Sequence, residues 1–347
     1  MSCAGSAQSD RESSKIQPNQ PGTAPAYWET VIKTSRRIVT ALLAGLVIGS
    51  SGACTAPVDD PSEESSSDTT YGVKVSNGMQ LNGITNNGIT NNGISNNGIS
   101  NNGVMLTGVW LEGSQIEAIT EHGEVLSSPA LEGAQLYATL DDGQSVTIRI
   151  DDVTSHTTPY PNDAVYIYNA CYRLPSDKKW SLLCGTDASK NPVGAIPLKG
   201  RWDYSVGTTT GGSRIDDPDM VTFACKGYAL AKCVELGYEP WIGTKKTASL
   251  ANHHQACTRM LRADYCGDGK SWTVDGTLIN VFDGLGIQTD AAPWPTEAEW
   301  DADGAICLSH TRIQNMDTVP SCSFAKAPVQ CGQKVKWQTT LLVSEAL

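Results

Sequence analysis

The chain is poor in positive charge. Its 347 residues carry 25 Lys+Arg against 37 Asp+Glu, a formal net charge of -12. No basic surface is on offer to neutralise phosphates, which argues against a nucleic-acid partner. The chain also lacks a comfortable membrane span. Its strongly apolar segment, Ile38 to Gly49, has 12 residues, against the roughly 20 that a spanning helix needs. None of its 11 cysteines forms a Cys-x-x-Cys pair, so ligand spacing is poor for structural zinc. What is present is 39% apolar residues, 33 Gly and 17 Pro. That balance suits a loop-rich protein better than a helical bundle.

The apolar segment is read as a targeting signal. Lys33, Arg36 and Arg37 precede it, and Ser51-Gly52-Ala53-Cys54 comes after it. A basic start, a short apolar run and small residues before a cut make a secretory signal. Cysteine at the first mature position makes it a lipoprotein signal, although Ser51 stands where such signals usually carry Leu. Cys54 is therefore the expected lipidation site, with plain cleavage or an uncleaved anchor as alternatives. Residues 1–30 are polar, include Pro18, Pro21 and Pro25, and are expected to be a disordered leader ahead of a natural start at Val31. The signal is then 31–53. An acidic exported body gains nothing from anionic lipid, so only a lipid chain at Cys54 would hold it to a membrane.

Residues 54–71 read as a disordered Ser/acidic tether, too poor in apolar residues to offset chain ordering. Residues 72–115 carry a five-residue repeat. Glycines fall at 78, 83, 88, 93, 98, 103, 108 and 113, and each of the first seven precedes an apolar residue such as Ile84 or Val104. The period resembles a pentapeptide-repeat β-helix, with a flexible tether as the alternative. Eight periods make about two coils, fewer than a stable array usually needs, so an ordered coil would have to dock on the domain C-terminal to it.

Residues 116–347 read as one α+β domain, mostly antiparallel β with two helices. Leu111-Glu-Gly-Ser-Gln-Ile and Leu131-Glu-Gly-Ala-Gln-Leu repeat one another and suggest duplicated strand starts. Ala134 to Leu140 and Ser145 to Asp151 alternate around a turn and predict a hairpin. Ala164 to Tyr172 and Trp180 to Cys184 predict a second. Further strands are expected over 194–204, 220–225, 271–274, 277–282, 305–309 and 335–344. Helices are expected over Gly227 to Leu236, stopped by Gly237 and Pro240, and over Ala248 to Tyr265.

Beyond Cys3 and Cys54, nine cysteines remain: Cys171, Cys184, Cys225, Cys233, Cys257, Cys266, Cys307, Cys322 and Cys331. In an oxidising envelope they read mainly as disulfides, and an odd number leaves one free or intermolecular. Cys171 and Cys184 lie symmetrically about Asp177-Lys178 and are expected to bridge the second hairpin. Cys257 and Cys266 would stand about 13 Å apart on a continuous helix, beyond the roughly 7 Å limit. They should take other partners, Cys233 being a candidate.

Candidate chemistry centres on His254, Cys257 and Asp264. His254 and Cys257, at i and i+3, share a helix face and could form a thiolate nucleophile. A disulfide and a core histidine are the stronger reading. His253 and His254 would point to different parts of the helix surface, which disfavours a metal site. Cys266-Gly267-Asp268-Gly269 lacks the alternating oxygen ligands of a calcium loop and reads as a tight turn. Arg259 or Arg262 is expected to pair with Asp264. No cofactor and no metal are implied.

The blocks Phe223–Trp241, His254–Gly269 and Asp303-Gly-Ala-Ile-Cys307 with Thr311-Arg312 resemble the ADYC domain proteins, named for a tetrad that here is Ala263-Asp264-Tyr265-Cys266. The resemblance covers roughly 130–345. It implies an exported or lipid-anchored protein of myxobacterial type and an envelope location, periplasmic or surface-facing, or else secretion. The family has no assigned catalytic residues, so none is carried over. The expected function is a disulfide-stabilised structural or binding domain that meets an envelope or extracellular ligand. The alternative is an exported enzyme, such as a hydrolase, with a cleft near His254. On the first reading the tetrad is structural: Tyr265 packs inward with its hydroxyl bonded, and Cys266 ties the helix end to a neighbour.

Overall fold

The computed structural model describes residues 105–140, 144–158, 164–218, 220–313, 321–323 and 327–347, with short strand pairs at Val73–Lys74, Ile89–Thr90 and Gly98–Ile99. They belong to a compact unit spanning Ala53–Leu347. The expected leader, signal and tether lie outside the described residues. So does the repeat up to Val104, apart from those short pairs.

The strands form layers. Strands β4 (Met105–Glu112) and β5 (Gln115–Thr120) make a hairpin joined at Gly113-Ser114, and β6 (Val125–Ser127) pairs β5. Gly113 at φ 61° supplies the left-handed turn residue such a two-residue loop requires. With β3 (Gly98–Ile99) they form a four-stranded sheet. The duplicated strand starts are present: Gln115 opens β5 and Gln135 opens β7 (Gln135–Thr139). Gly133, at φ 82°, precedes β7 as Gly113 precedes β5. Burial alternates along both strands, so each buries one face.

The second sheet has the order β2-β14-β11-β9-β8-β7 and is antiparallel throughout. Its members are β2 (Ile89–Thr90), β8 (Ser145–Thr157), β9 (Ala164–Arg173), β11 (Ala195–Lys199) and β14 (Met220–Cys225), with β10 (Ser181–Leu182) on β9. One face carries Ile148, Ile150, Tyr168, Ala170, Ala195 and Phe223, packed with Leu106, Ile116 and Ala118 of the first sheet. The Tyr168 hydroxyl accepts the Ile116 amide at 2.7 Å and bonds Ser128, pinning the sheets together. The other face carries Val165, Ile167, Ile196, Leu198 and Ala224 under Leu230, Ala231 and Val234 of α1 (Ala229–Glu235). Covered on both faces, β14 is buried at every residue and shows no alternation.

Helix α2 (Ala251–Leu261) lies beside α1 and packs on a third sheet of order β1-β15-β18-β16-β17. That sheet contains β1 (Val73–Lys74), β15 (Leu278–Asp283), β16 (Thr296–Asp301), β17 (Gly304–Leu308) and β18 (Leu342–Glu345). Their shared core holds Met260, Leu261, Tyr265, Ile279, Ala298, Trp300 and Leu342. Sheet, sheet, helices and sheet thus stack through three apolar seams. The expected α+β class, mostly β with two helices and disulfides, is observed. A separate ribbon pairs β12 (Arg201–Trp202) with β13 (Arg214–Ile215).

Several boundaries differ from expectation. Helix α1 stops at Glu235, and Gly237 at φ 93° reverses the chain as foreseen. Helix α2 starts later, where Ser249 Oγ accepts the Ala251 amide at 3.0 Å. It ends at Leu261 because Ala263 adopts φ 49°. Residues 271–274 form no strand: the Trp272 amide and the Ser271 hydroxyl both bond Arg262 O and close the helix end instead. Residues 335–341 turn before β18 begins at Leu342.

The cysteine pairing corrects one expectation. The bridges are Cys184–Cys225, Cys233–Cys257, Cys266–Cys322 and Cys307–Cys331. Cys171 and Cys184 do not pair with each other. The β9–β10 register sets Cys171 opposite Leu182, two residues from where symmetry about Asp177-Lys178 would put it. Cys184 is carried past the hairpin to Cys225 at the end of β14, with their Cα atoms 5.5 Å apart. Cys171 belongs to none of these four bridges.

Candidate functional site

The candidate residues lie along α2 and in the turn that leaves it. His254 is fully buried. Its Nε2 lies 3.0 Å from Leu230 O on α1, and its ring stands edge-on to Trp202 at 5.7 Å. That bond fixes Nε2 as the protonated nitrogen, and Nδ1 meets no partner among the described residues. Burial and the nearby Arg214 charge lower its pKa to about 4, so the ring is neutral. His253 instead stacks on Tyr238 at 6.3 Å. The adjacent histidines face different neighbours, as the helix geometry required.

Cys257 cannot act as the thiolate nucleophile considered from sequence, because its sulfur bridges Cys233. Thr258, one residue on, donates to His254 O at 2.9 Å within the same helix. Asp264, the third candidate, does not reach toward His254. Its carboxylate accepts Arg259 Nη1, the Asp268 amide at 3.1 Å and the Gly269 amide at 3.0 Å. The proposed constellation of His254, Cys257 and Asp264 is therefore split into a packing contact, a bridge and a turn anchor.

The tetrad forms a clasp built residue by residue. Ala263 takes the left-handed conformation that ends α2. Asp264 gathers the amides of the turn beyond it and neutralises Arg259, which is itself almost completely buried. Burial pushes the Asp264 carboxyl up, while Arg259, Arg262 and the Gly269 amide pull it down. Arg259 also donates to Gly211 O at 2.5 Å and Ser213 Oγ at 2.8 Å, tying the helix to the loop before β13. Arg262 stands 4.0 Å from Asp264 and donates to Gly269 O. Gly267 lies so close to Asp303 O that a Cβ there would collide with it. The expected tight turn is present: Gly267 and Gly269 have φ of 65° and 81°, and Asp268 accepts the Lys270 amide at 3.0 Å.

Tyr265 points inward and stacks on Trp300 at 5.5 Å. Its hydroxyl donates to Glu297 Oε1 at 2.6 Å and accepts the Arg312 amide at 3.1 Å. Burial and the Glu297 charge hold its phenol well above the usual range. Glu297 is paired with Arg312 through Nε at 2.9 Å and Nη2 at 3.0 Å, with both side chains fully buried. Arg312 also donates to Met260 O at 2.8 Å and Leu261 O at 3.3 Å, the last carbonyls of α2. Cys266 closes the clasp by its bridge to Cys322. Arg312 and Glu297 were not foreseen as site residues. Only Thr311-Arg312, part of a conspicuous block, pointed toward them.

Chemically this arrangement offers buried, paired charges and no free nucleophile at the tetrad. Two tryptophans are buried with their ring N–H groups bonded: Trp202 Nε1 donates to Gln255 Oε1 at 2.9 Å, and Trp300 Nε1 donates to Ser344 Oγ at 2.8 Å. Among known proteins, a family model described as the ADYC domain matches residues 128–314. No curated protein and no solved structure matches the chain.

Proposed function

Since the chain belongs to the ADYC domain family, we propose that it is an exported, lipid-anchored envelope protein in which the tetrad holds together a structural or binding domain. The observation that carries this reading is the disposition of the tetrad and its helix. Cys257 and Cys266 are both bridged, His254 is spent on a buried carbonyl, and Asp264 and Tyr265 are saturated with internal partners. Four bridges within a domain of this size also favour an oxidising compartment. At about 2–4 kcal/mol each they are comparable to the whole net stability of an ordinary domain. The acidic balance makes a lipid at Cys54, rather than surface charge, the means of membrane attachment.

The test compares Asp264→Asn and Cys266→Ser with the parent protein. Both should lower thermal stability and exported yield, while ligand capture persists in the folded fraction. Unchanged melting with loss of an activity on a discovered substrate would make these residues catalytic and overturn the reading. Mass spectrometry of the mature N-terminus tests the anchor separately. A thioether-linked lipid occupies the Cys54 sulfur, so a Cys54 found in a disulfide, or an unmodified terminus elsewhere, would defeat it.

A further inference from the structure

A second cluster lies on the face of the third sheet that turns away from α2. Glu299 of β16 stands directly opposite Cys307 of β17, and their side chains share one face. Their neighbours Ala298, Trp300 and Leu308 point to the helix side. The outer face is covered by the segment before β18: Val329 bridges to Cys307, Cys331 bonds its sulfur, and Thr340 Oγ1 donates to Glu299 Oε2. The Glu299 carboxylate is thus buried, yet among the described residues no basic side chain forms a salt bridge with it. A buried carboxyl group is accommodated by hydrogen bonds, by a paired or coordinated cation, or by taking up a proton.

The geometry points to a redox-gated site for a thiophilic divalent cation, with zinc as the reference ion, formed by Glu299, Cys307 and Cys331. Their donor atoms all lie within 4.8 Å of one another. A tetrahedral zinc with Zn–S about 2.3 Å and Zn–O about 2.0 Å places its donors roughly 3.5–3.8 Å apart. Small movements therefore suffice once the sulfurs separate. Cys307 is held in a strand, whereas Cys331 lies outside any helix or strand and is half-buried. Cys331 is accordingly the partner free to move. While the bridge is closed, neither sulfur is a thiolate and the site does not exist. A dithiol reductant opens it: the dithiol becomes a disulfide, and its two electrons and two protons leave Cys307 and Cys331 as thiols. The cation then displaces both thiol protons and takes the two thiolates and the Glu299 carboxylate, with water as a fourth ligand. The cation supplies the positive charge that the buried carboxylate lacks.

The experiment uses the mature protein with its bridges intact. A phosphine reductant is titrated in, opened cysteines are mapped by alkylation and mass spectrometry, and zinc is titrated against a chromogenic chelator. The expected result is no stoichiometric zinc in the oxidised protein and one per chain once Cys307 and Cys331 are open. Cobalt in place of zinc should give a thiolate-to-metal charge-transfer band of tetrahedral type. Glu299→Gln retains the bridge and should weaken zinc binding at least about tenfold. Cys307→Ser/Cys331→Ser should abolish it. Because that double variant can fail to fold, the parent cobalt spectrum and Glu299→Gln decide independently. The proposal is overturned if reduced protein binds no zinc, if binding is indifferent to Glu299→Gln, or if Cys307–Cys331 stays closed until the other bridges have opened.

Discussion

Replacing His254 with Gln should flatten the acid limb of the stability profile. In the folded protein the imidazole pKa falls from 6.5 to about 4, because the ring is fully buried and Arg214 lies nearby. In the unfolded chain it returns to the solvent value. Between about pH 6.5 and pH 4 the unfolded state therefore binds more protons, and stability falls as the pH falls. The contribution is complete above pH 6.5 and lost below pH 4. A shift of this size corresponds to about 3 kcal/mol over the window. The geometry supplies the reason: Nε2 donates to Leu230 O, and a proton added at Nδ1 would meet no acceptor among the described residues. Glutamine retains an amide donor for Leu230 O and removes the titration. Urea unfolding, with the bridges intact and tracked by tryptophan fluorescence, should be run from pH 7.5 to pH 4. The parent should lose about 3 kcal/mol more than the variant across that range. His253, also lowered by burial, and the carboxylates titrate in both proteins and cancel in the difference. Parallel profiles would refute the argument and mean that water reaches the His254 ring.

Arg312→Met strands the Glu297 carboxylate against the Tyr265 hydroxyl and uncaps Met260 O and Leu261 O. About 3–5 kcal/mol should be lost in urea unfolding, and the double variant Arg312→Met/Glu297→Leu should recover much of it. Gly267→Ala places a Cβ against Asp303 O at a backbone φ of 65°, so exported yield and melting temperature should both drop steeply, whereas Gly286→Ala, with open space around it, should be much milder. Non-reduced peptide mapping should recover Cys184 with Cys225 and Cys233 with Cys257; a Cys171–Cys184 peptide would restore the hairpin bridge and contradict the β9–β10 register.

What the sequence disclosed and what it hid divide by range. Strand starts at Gln115 and Gln135 were readable because alternation and a turn glycine are local signals. The stop at Gly237, the turn glycines 267 and 269, and the partners of Asp264 were readable for the same reason: all lie within a few residues of the group they serve. The register of the β9–β10 hairpin was misjudged by two residues. Symmetry about a turn does not reveal how many residues the turn consumes, and each residue so consumed moves the pairing. The burial of β14 on both faces, the Arg312–Glu297 pair and the Glu299–Cys307 opposition depend on elements distant in sequence. No local period encodes them.

That division bears on why the tetrad has its composition. Each member satisfies a different demand at the same helix terminus. Ala263 reverses the chain, Asp264 ties two turn amides and a buried arginine, Tyr265 carries a hydroxyl into the third sheet, and Cys266 makes a covalent link. The last carbonyls of α2 are capped by an arginine some 50 residues downstream, whose charge is balanced by Glu297 on β16. Each contact supplies a partner that a buried group would otherwise lack: without them Arg259 would be left without its carboxylate, Glu297 without its guanidinium, and the helix end without its cap. In a buried polar assembly of this kind, each incomplete version exposes an uncompensated charge to an apolar seam. The clasp therefore links α2, the loop before β13 and the third sheet through one set of buried polar contacts.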